Sequence, residues 1–233
     1  MNKFTRRTVI AAACAAAAMT FAPMSFAQQA PEKKDVTIAV GGKSLYYYLP
    51  LSIAEQLGYF KDEGLNVKIV DFQGGSRSLQ AVVGGSADVV SGAFEHTISM
   101  QAKKQPMTAF VLQGRAPQLA LVVSNKTMKD YKQLSDLKGK KVGVTAPGSS
   151  SQMVANFILK KGGLGPKDVA FIGVGSSSGA VSAIRSGQID ALINLDPVIT
   201  ILLKSGDAKL VADTRKVKAV SYTHLTLPTK LEV

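Results

Sequence analysis

The sequence predicts an α/β protein of two lobes that follow one another along the chain. Two observations carry this. From Asp35 onward short apolar runs alternate with helical patterns, as in parallel-sheet architectures. One helix–turn–strand unit also occurs twice: Gly75-Ser76-Arg77-Ser78-Leu79-Gln80-Ala81-Val82-Val83-Gly84-Gly85-Ser86-Ala87-Asp88 aligns with the run from Ser177 to Asp190, and Asp88 recurs as Asp190, 102 residues on. Both copies end in a Gly-x-apolar-Asp turn that leads into an apolar strand.

In the first series, strands are expected over 36–40, 67–72 and 88–90, with helices over 49–59, 76–83 and 95–103. Two further strands, over 108–112 and 118–124, close that series and put the seam between lobes near residues 124–130. The second series repeats the alternation. Strands are expected over 141–144, 169–174, 191–195 and 210–212, and helices over 150–160, 180–186 and 197–204. Pro197 opens the last helix, where a missing amide donor costs nothing.

Residues 1–27 read as an export signal, with Lys3, Arg6 and Arg7 at the positive end, an apolar stretch from Val9 to Phe21 and an A-x-A-like site at Ser25-Phe26-Ala27. Thr5-Arg6-Arg7 fits the twin-arginine route as well as the ordinary secretory one, so a periplasmic protein exported by either route is expected. Cys14, the single cysteine, lies in this signal, so the mature chain forms no disulfide. An uncleaved anchor and a lipid-modified Cys14 stay open.

The formal net charge is +12. Its lysines are scattered pairs, such as Lys103-Lys104 and Lys160-Lys161, without a basic helix or interleaved aromatics, so no nucleic-acid partner is expected. Residues 220–233 resemble one translated frame of a sequencing adapter. They are expected to be a non-native tail, and the natural chain to be truncated near Ala219. The resulting division is a signal at 1–27, an incomplete first lobe at 28–124, a second lobe at 125–219 and the tail at 220–233.

Leu49-Pro50-Leu51-Ser52-Ile53-Ala54, followed by Gly58-Tyr59-Phe60-Lys61-Asp62-Glu63-Gly64-Leu65, resembles the opening of the nitrate, sulfonate and taurine type of periplasmic binding proteins, a group that also holds receptors for thiamine-pyrimidine precursors. Gly85-Ser86-Ala87-Asp88-Val89-Val90, Asp136-Leu137-Lys138-Gly139-Lys140-Lys141-Val142 and Gly187-Gln188-Ile189-Asp190-Ala191 are similar to the same group. The resemblance implies a type II periplasmic-binding-protein fold. It also implies an ABC importer receptor that closes its lobes on a small solute and docks on a permease with its ATPase in the inner membrane. A returning strand and C-terminal helices of the first lobe are implied after residue 213.

In open α/β sheets ligands bind beyond the carboxyl ends of strands, where helix N-termini present free amides. Five loops satisfy that rule. Gly75 and Ser76 on one side, and Gly148, Ser149 and Ser150 on the other, suit an oxyanion, because small residues admit the backbone and serine adds a donor. Tyr46 and Tyr47 offer an apolar face with a polar tip, and Arg115 offers a charge partner for an anion. Phe94 and Glu95 begin a helix at the third loop, and Asp196 lies on the opposite wall. A cleft-facing Glu95 would oppose a bare anion and favour a ligand with donors, such as an amine or a pyrimidine.

No catalytic set is readable. Without a cysteine in the mature chain, and with His96 as the one histidine outside the tail, no Cys/His dyad, zinc set or cofactor is expected. The cysteine- and histidine-rich motif of a pyrimidine synthase sharing the fold is absent from the sequence, and no G-x-x-x-x-G-K-[ST] loop is present. The alternatives are such an enzyme or a sensor domain of the same architecture.

Overall fold

The computed structural model describes residues 31–114 and 117–214. Residues 1–27 with Cys14, expected to be an export signal, Arg115, and residues 220–233, expected to be a tail, lie outside the described residues. Everything below belongs to the compact unit that begins at Lys33.

The first sheet is built from β1 (Asp35–Val40), β2 (Asn66–Asp71) and β3 (Val89–Ser91), in the order β2-β1-β3 with all neighbours parallel. A 3₁₀ turn (Tyr46–Tyr48), α1 (Leu49–Gln56) and α2 (Tyr59–Asp62) connect β1 to β2. The sequence predicts one helix over 49–59; Gly58, at φ 80°, divides it, because a left-handed residue ends helical hydrogen bonding. α3 (Gly75–Val83) joins β2 to β3, and α4 (Glu95–Ala102) follows.

The second sheet runs β6-β5-β7-β4-β8. It comprises β4 (Ala120–Ser124), β5 (Lys141–Val144), β6 (Ala170–Gly173), β7 (Ala191–Asn194) and β8 (Ala208–Asp213). α5 (Ser150–Lys161), α6 (Ser178–Ser186) and α7 (Val198–Lys204) connect its strands. α5 buries Ser151, Val154, Ala155, Ile158 and Leu159, the spacing of one helical face.

Two expectations differ from the structure. The strand predicted over 118–124 does not close the first sheet. As β4 it pairs antiparallel with β7 and β8, so the chain has crossed to the second sheet before Ala120. All five β4 residues are buried, and a strand covered on both faces and both edges carries no periodicity to reveal its partners. Residues 108–112 form no regular strand. Phe110, Val111 and Leu112 stay exposed, and the segment is tied to the first sheet through Gln113, which accepts from Ser91 Oγ at 2.6 Å and donates to the Tyr47 carbonyl at 2.8 Å.

The repeated unit is a repeated structure. β6-β5-β7 has the order of β2-β1-β3. Gly85 and Gly187 take φ 73° and 80°, conformations open to glycine. The next two amides donate to Ala81 in one copy and to Ala183 in the other. The closing aspartate then accepts from a neighbouring strand, Asp88 from the Thr37 amide at 2.8 Å and Asp190 from the Lys141 amide at 2.9 Å.

Candidate functional site

The carboxyl ends of both sheets face one another. Gly74, at φ 83°, precedes α3; a Cβ there would press on Thr145 and Ala146 of the other sheet, and a Cβ on Gly42 would strike Ser176. These two glycines therefore let the walls approach. The contact is held by a directed chain of hydrogen bonds. The Ser76 amide donates to Ser149 Oγ at 3.0 Å, Ser149 Oγ donates to Ser76 Oγ at 3.1 Å, and Ser76 Oγ donates to the Pro147 carbonyl at 2.8 Å. At the other end the Tyr46 amide donates to the Asp196 carbonyl at 3.2 Å.

Between these contacts lies a cavity of about 40 Å³ lined by Tyr47, Gly75, His96, Thr145, Ser150 and Leu195 among others. A second, of about 20 Å³, shares Ala93, Pro117 and Ser150 with it and adds Glu95 and Met153. Together they are a seam of mixed polar and apolar lining between two sheets.

The tyrosines divide by phase. Tyr46 is 64% exposed, while Tyr47 and Tyr48 are buried with rings 5.0 Å apart, edge to face. Tyr48 Oη accepts from the Gly41 amide and donates to the Ser91 carbonyl, both at 3.2 Å, and burial pushes its pKa up to about 12. Burial also raises Tyr47, with further contributions from the charges of Tyr48 and Glu95.

Glu95 is the first residue of α4, and its Oε1 is buried without a hydrogen-bond partner. Burial pushes its carboxyl above the ordinary glutamate range. His96 is 6% exposed, its Nε2 is likewise unpartnered, and it sits 3.2 Å from where a Cβ on Gly75 would stand. Burial lowers its pKa to about 4, so the ring is neutral at pH 7. Phe94 caps α4, its carbonyl accepting from Thr97 Oγ1 at 2.7 Å. Gly148 donates its amide to Gln152 Oε1 at 2.7 Å. Asp196 Oδ1 accepts from the Thr200 amide and hydroxyl at 3.0 and 2.8 Å, a local cap on α7.

The structure thus brings together Tyr47, Gly75, Ser76, Glu95, Ser149 and Ser150. It leaves the Tyr46 side chain outward and gives Phe94, Gly148 and Asp196 local bonds. Three residues of the seam escape the sequence reading. Thr145 directly follows β5, three residues before Gly148, and its amide and hydroxyl bond to Ser151 Oγ at 3.0 and 2.8 Å. Ser176 follows β6, outside the five nominated loops. His96, buried against Gly75, lies next to the chosen Glu95.

Residues 46–229 match the family described as NMT1/THI5 like. A protein of Bordetella bronchiseptica RB50 of known structure is 59% identical, with a TM-score of 0.81, over 84% of this chain and 64% of that one. The alkanesulfonate-binding protein SsuA from Xanthomonas axonopodis pv. citri, bound to MOPS, superposes with a TM-score of 0.68 at 24% identity over 85% of this chain and 67% of its own. A 4-amino-5-hydroxymethyl-2-methylpyrimidine phosphate synthase of Schizosaccharomyces pombe is 27% identical over 162 residues, 69% of this chain and 45% of the enzyme. The chain therefore spans less than two thirds of the Bordetella protein and less than half of the enzyme. With the family match extending over more than half of the sequence and the two-sheet architecture shared with a solved binding protein, the chain belongs to the NMT1/THI5-like family and has the type II periplasmic-binding-protein fold.

Proposed function

We propose that this protein is an exported solute-binding receptor of an ABC importer, which captures a small solute between its sheets and delivers it to a membrane permease and its ATPase. The observation that carries this reading is the direct contact of Ser76 with Ser149 and Pro147 across the seam. Two loops from separate sheets, each at strand ends where ligands enter α/β folds, meet beside a small cavity lined by their neighbours Gly75 and Ser150. Such a joint transmits a solute's contacts into the relative position of two rigid bodies. The likeness to SsuA supports the same reading. No helix among the described residues is long and apolar enough to cross a membrane, which is consistent with release into the periplasm after the signal over 1–27 is removed.

A thermal-shift screen with nitrate, alkylsulfonates, taurine, aromatic carboxylates and aminopyrimidines tests it. A solute at one hundred times its Kd stabilises the folded state by about 2.7 kcal/mol. Gly74→Val, which wedges the walls apart at Thr145, should weaken binding at least a hundredfold while leaving the fold intact by circular dichroism. No shift with any solute, or full binding in Gly74→Val, counts against the receptor.

The Schizosaccharomyces pombe relative supports a second reading, a pyrimidine-forming enzyme. Mass spectrometry of solute recovered after incubation separates the two: a receptor returns it unchanged, an enzyme does not.

A further inference from the structure

Many donors of the loops that would bind an oxyanion are already used. The Gly42 and Lys43 amides both donate to Asp71 Oδ1 at 2.8 Å. The Gly41 amide goes to Tyr48 Oη, that of Ser76 to Ser149 Oγ, that of Thr145 to Ser151 Oγ and that of Gly148 to Gln152 Oε1. The Ser149 amide donates to the Ala146 carbonyl. Each of these seven amides, drawn from both walls, has an acceptor inside the chain, so none of the seven is available to nitrate or sulfonate.

The buried atoms left without partners are of the other kind. Glu95 Oε1 lies beside the seam and can only accept when ionised, and His96 Nε2, on the floor against Gly75, accepts in one neutral tautomer. A buried acceptor without a donor is destabilising, more so when charged, and a solute that supplies the donor recovers that cost. A bare anion instead meets a carboxylate in a low-dielectric setting where repulsion is strong. The raised carboxyl pKa of Glu95 agrees with its burial.

On the reading that the seam is a solute site, we infer that it selects a solute presenting a nitrogen-bound donor, of the amine or amidine class, and that Glu95 is the specificity residue that receives it and repels oxyanions. The pocket then reads charge the opposite way from one lined by free amides. An amidinium presents two parallel N–H groups to a carboxylate, a bidentate geometry that a single hydroxyl cannot reproduce.

The probes are matched pairs of one skeleton: benzamidine with benzoate, acetamidine with acetate, and taurine with isethionate, each titrated by calorimetry against wild type, Glu95→Gln and Glu95→Asp. The wild type should bind the nitrogen-bearing member at least tenfold more tightly than its partner in each pair. Glu95→Gln should lose at least tenfold in affinity for that member, and Glu95→Asp should keep the preference. The far-ultraviolet spectrum and melting temperature of each variant, measured without probe, show that it is folded. Tighter binding of benzoate, acetate or isethionate by the wild type overturns the inference while leaving the receptor reading intact. Unchanged amidine affinity in Glu95→Gln, or no binding of any nitrogen-bearing probe, also overturns it. Failure of both classes of probe together with the wider solute screen removes the receptor reading as well.

Discussion

The two sheets begin from one plan and are finished differently. Strands β2-β1-β3 and β6-β5-β7 have the same order, and the Asp88 and Asp190 turns have the same hydrogen bonds. Beyond β7, however, lie β4 and β8, whereas β3 is the edge of its sheet among the described residues. The cores follow suit. Leu121, Ile193, Leu192 and Ile184 sit in two broad clusters in the second sheet, while the first has small ones such as Ala39 with Ala81 and Ala87. Beside β3, Leu51, Phe60, Phe110 and Leu112 line an apolar groove of about 350 Å³. Among the described residues the two sheets therefore share a strand order but not what packs beyond their outer strands.

Substitutions in the two cores sharpen this contrast most. Leu192 is 0% exposed and Leu79 8% exposed. Leu192→Ala should cost about 4 kcal/mol in urea unfolding and Leu79→Ala about 2, because the thinner cluster can collapse around its cavity. Equal losses would mean that the two cores are packed alike.

A smaller effect is expected in acid. The unfolded chain takes up a proton at His96 near the ordinary histidine pKa, whereas the folded chain refuses it until about pH 4. The unfolded state then binds more protons, so stability falls as pH drops through that window, by up to about 3 kcal/mol. Glu95, whose folded pKa is raised, acts in the opposite sense and loses stability as pH rises above its unfolded value. His96→Gln should flatten the acid limb of the melting curve, and amide exchange in wild type should rise in α4 before α6. Simultaneous loss of protection in both helices would break the distinction between the sheets.

The smallest effect concerns the groove. The wild type should bind a hydrophobic dye there, and Leu112→Gln should lower dye fluorescence while moving stability by less than about 0.5 kcal/mol. Unchanged fluorescence would place the dye elsewhere.

The elements most legible in the sequence are local ones. The Gly-x-apolar-Asp turn shows itself because its glycine, its buried residue and its capping carboxylate lie within four positions, and Ser150 is read as a helix start, whereas the helix expected from 180 begins at Ser178. Strand partnership is not local. Nothing in Ala120-Leu121-Val122-Val123 says that it pairs with β7 rather than β3, and the apolar run at Phe110 looks like a strand although no ladder forms there. The seam was half legible: the carboxyl-end rule reaches Gly75, Ser76, Ser149 and Glu95, but Ser176 and Thr145 are placed by the approach of two sheets, which residue spacing does not encode. That Ser76 and Ser149 would bond to each other also required three dimensions.

The Ser76–Ser149 joint makes the protein its own competitor. In the proposed receptor, any guest larger than a few waters would first displace bonds the chain makes with itself, so the observed affinity would be the intrinsic value reduced by the fraction of molecules with the seam parted. Weakly held look-alikes would not repay that displacement, and discrimination would be gained at the expense of sensitivity.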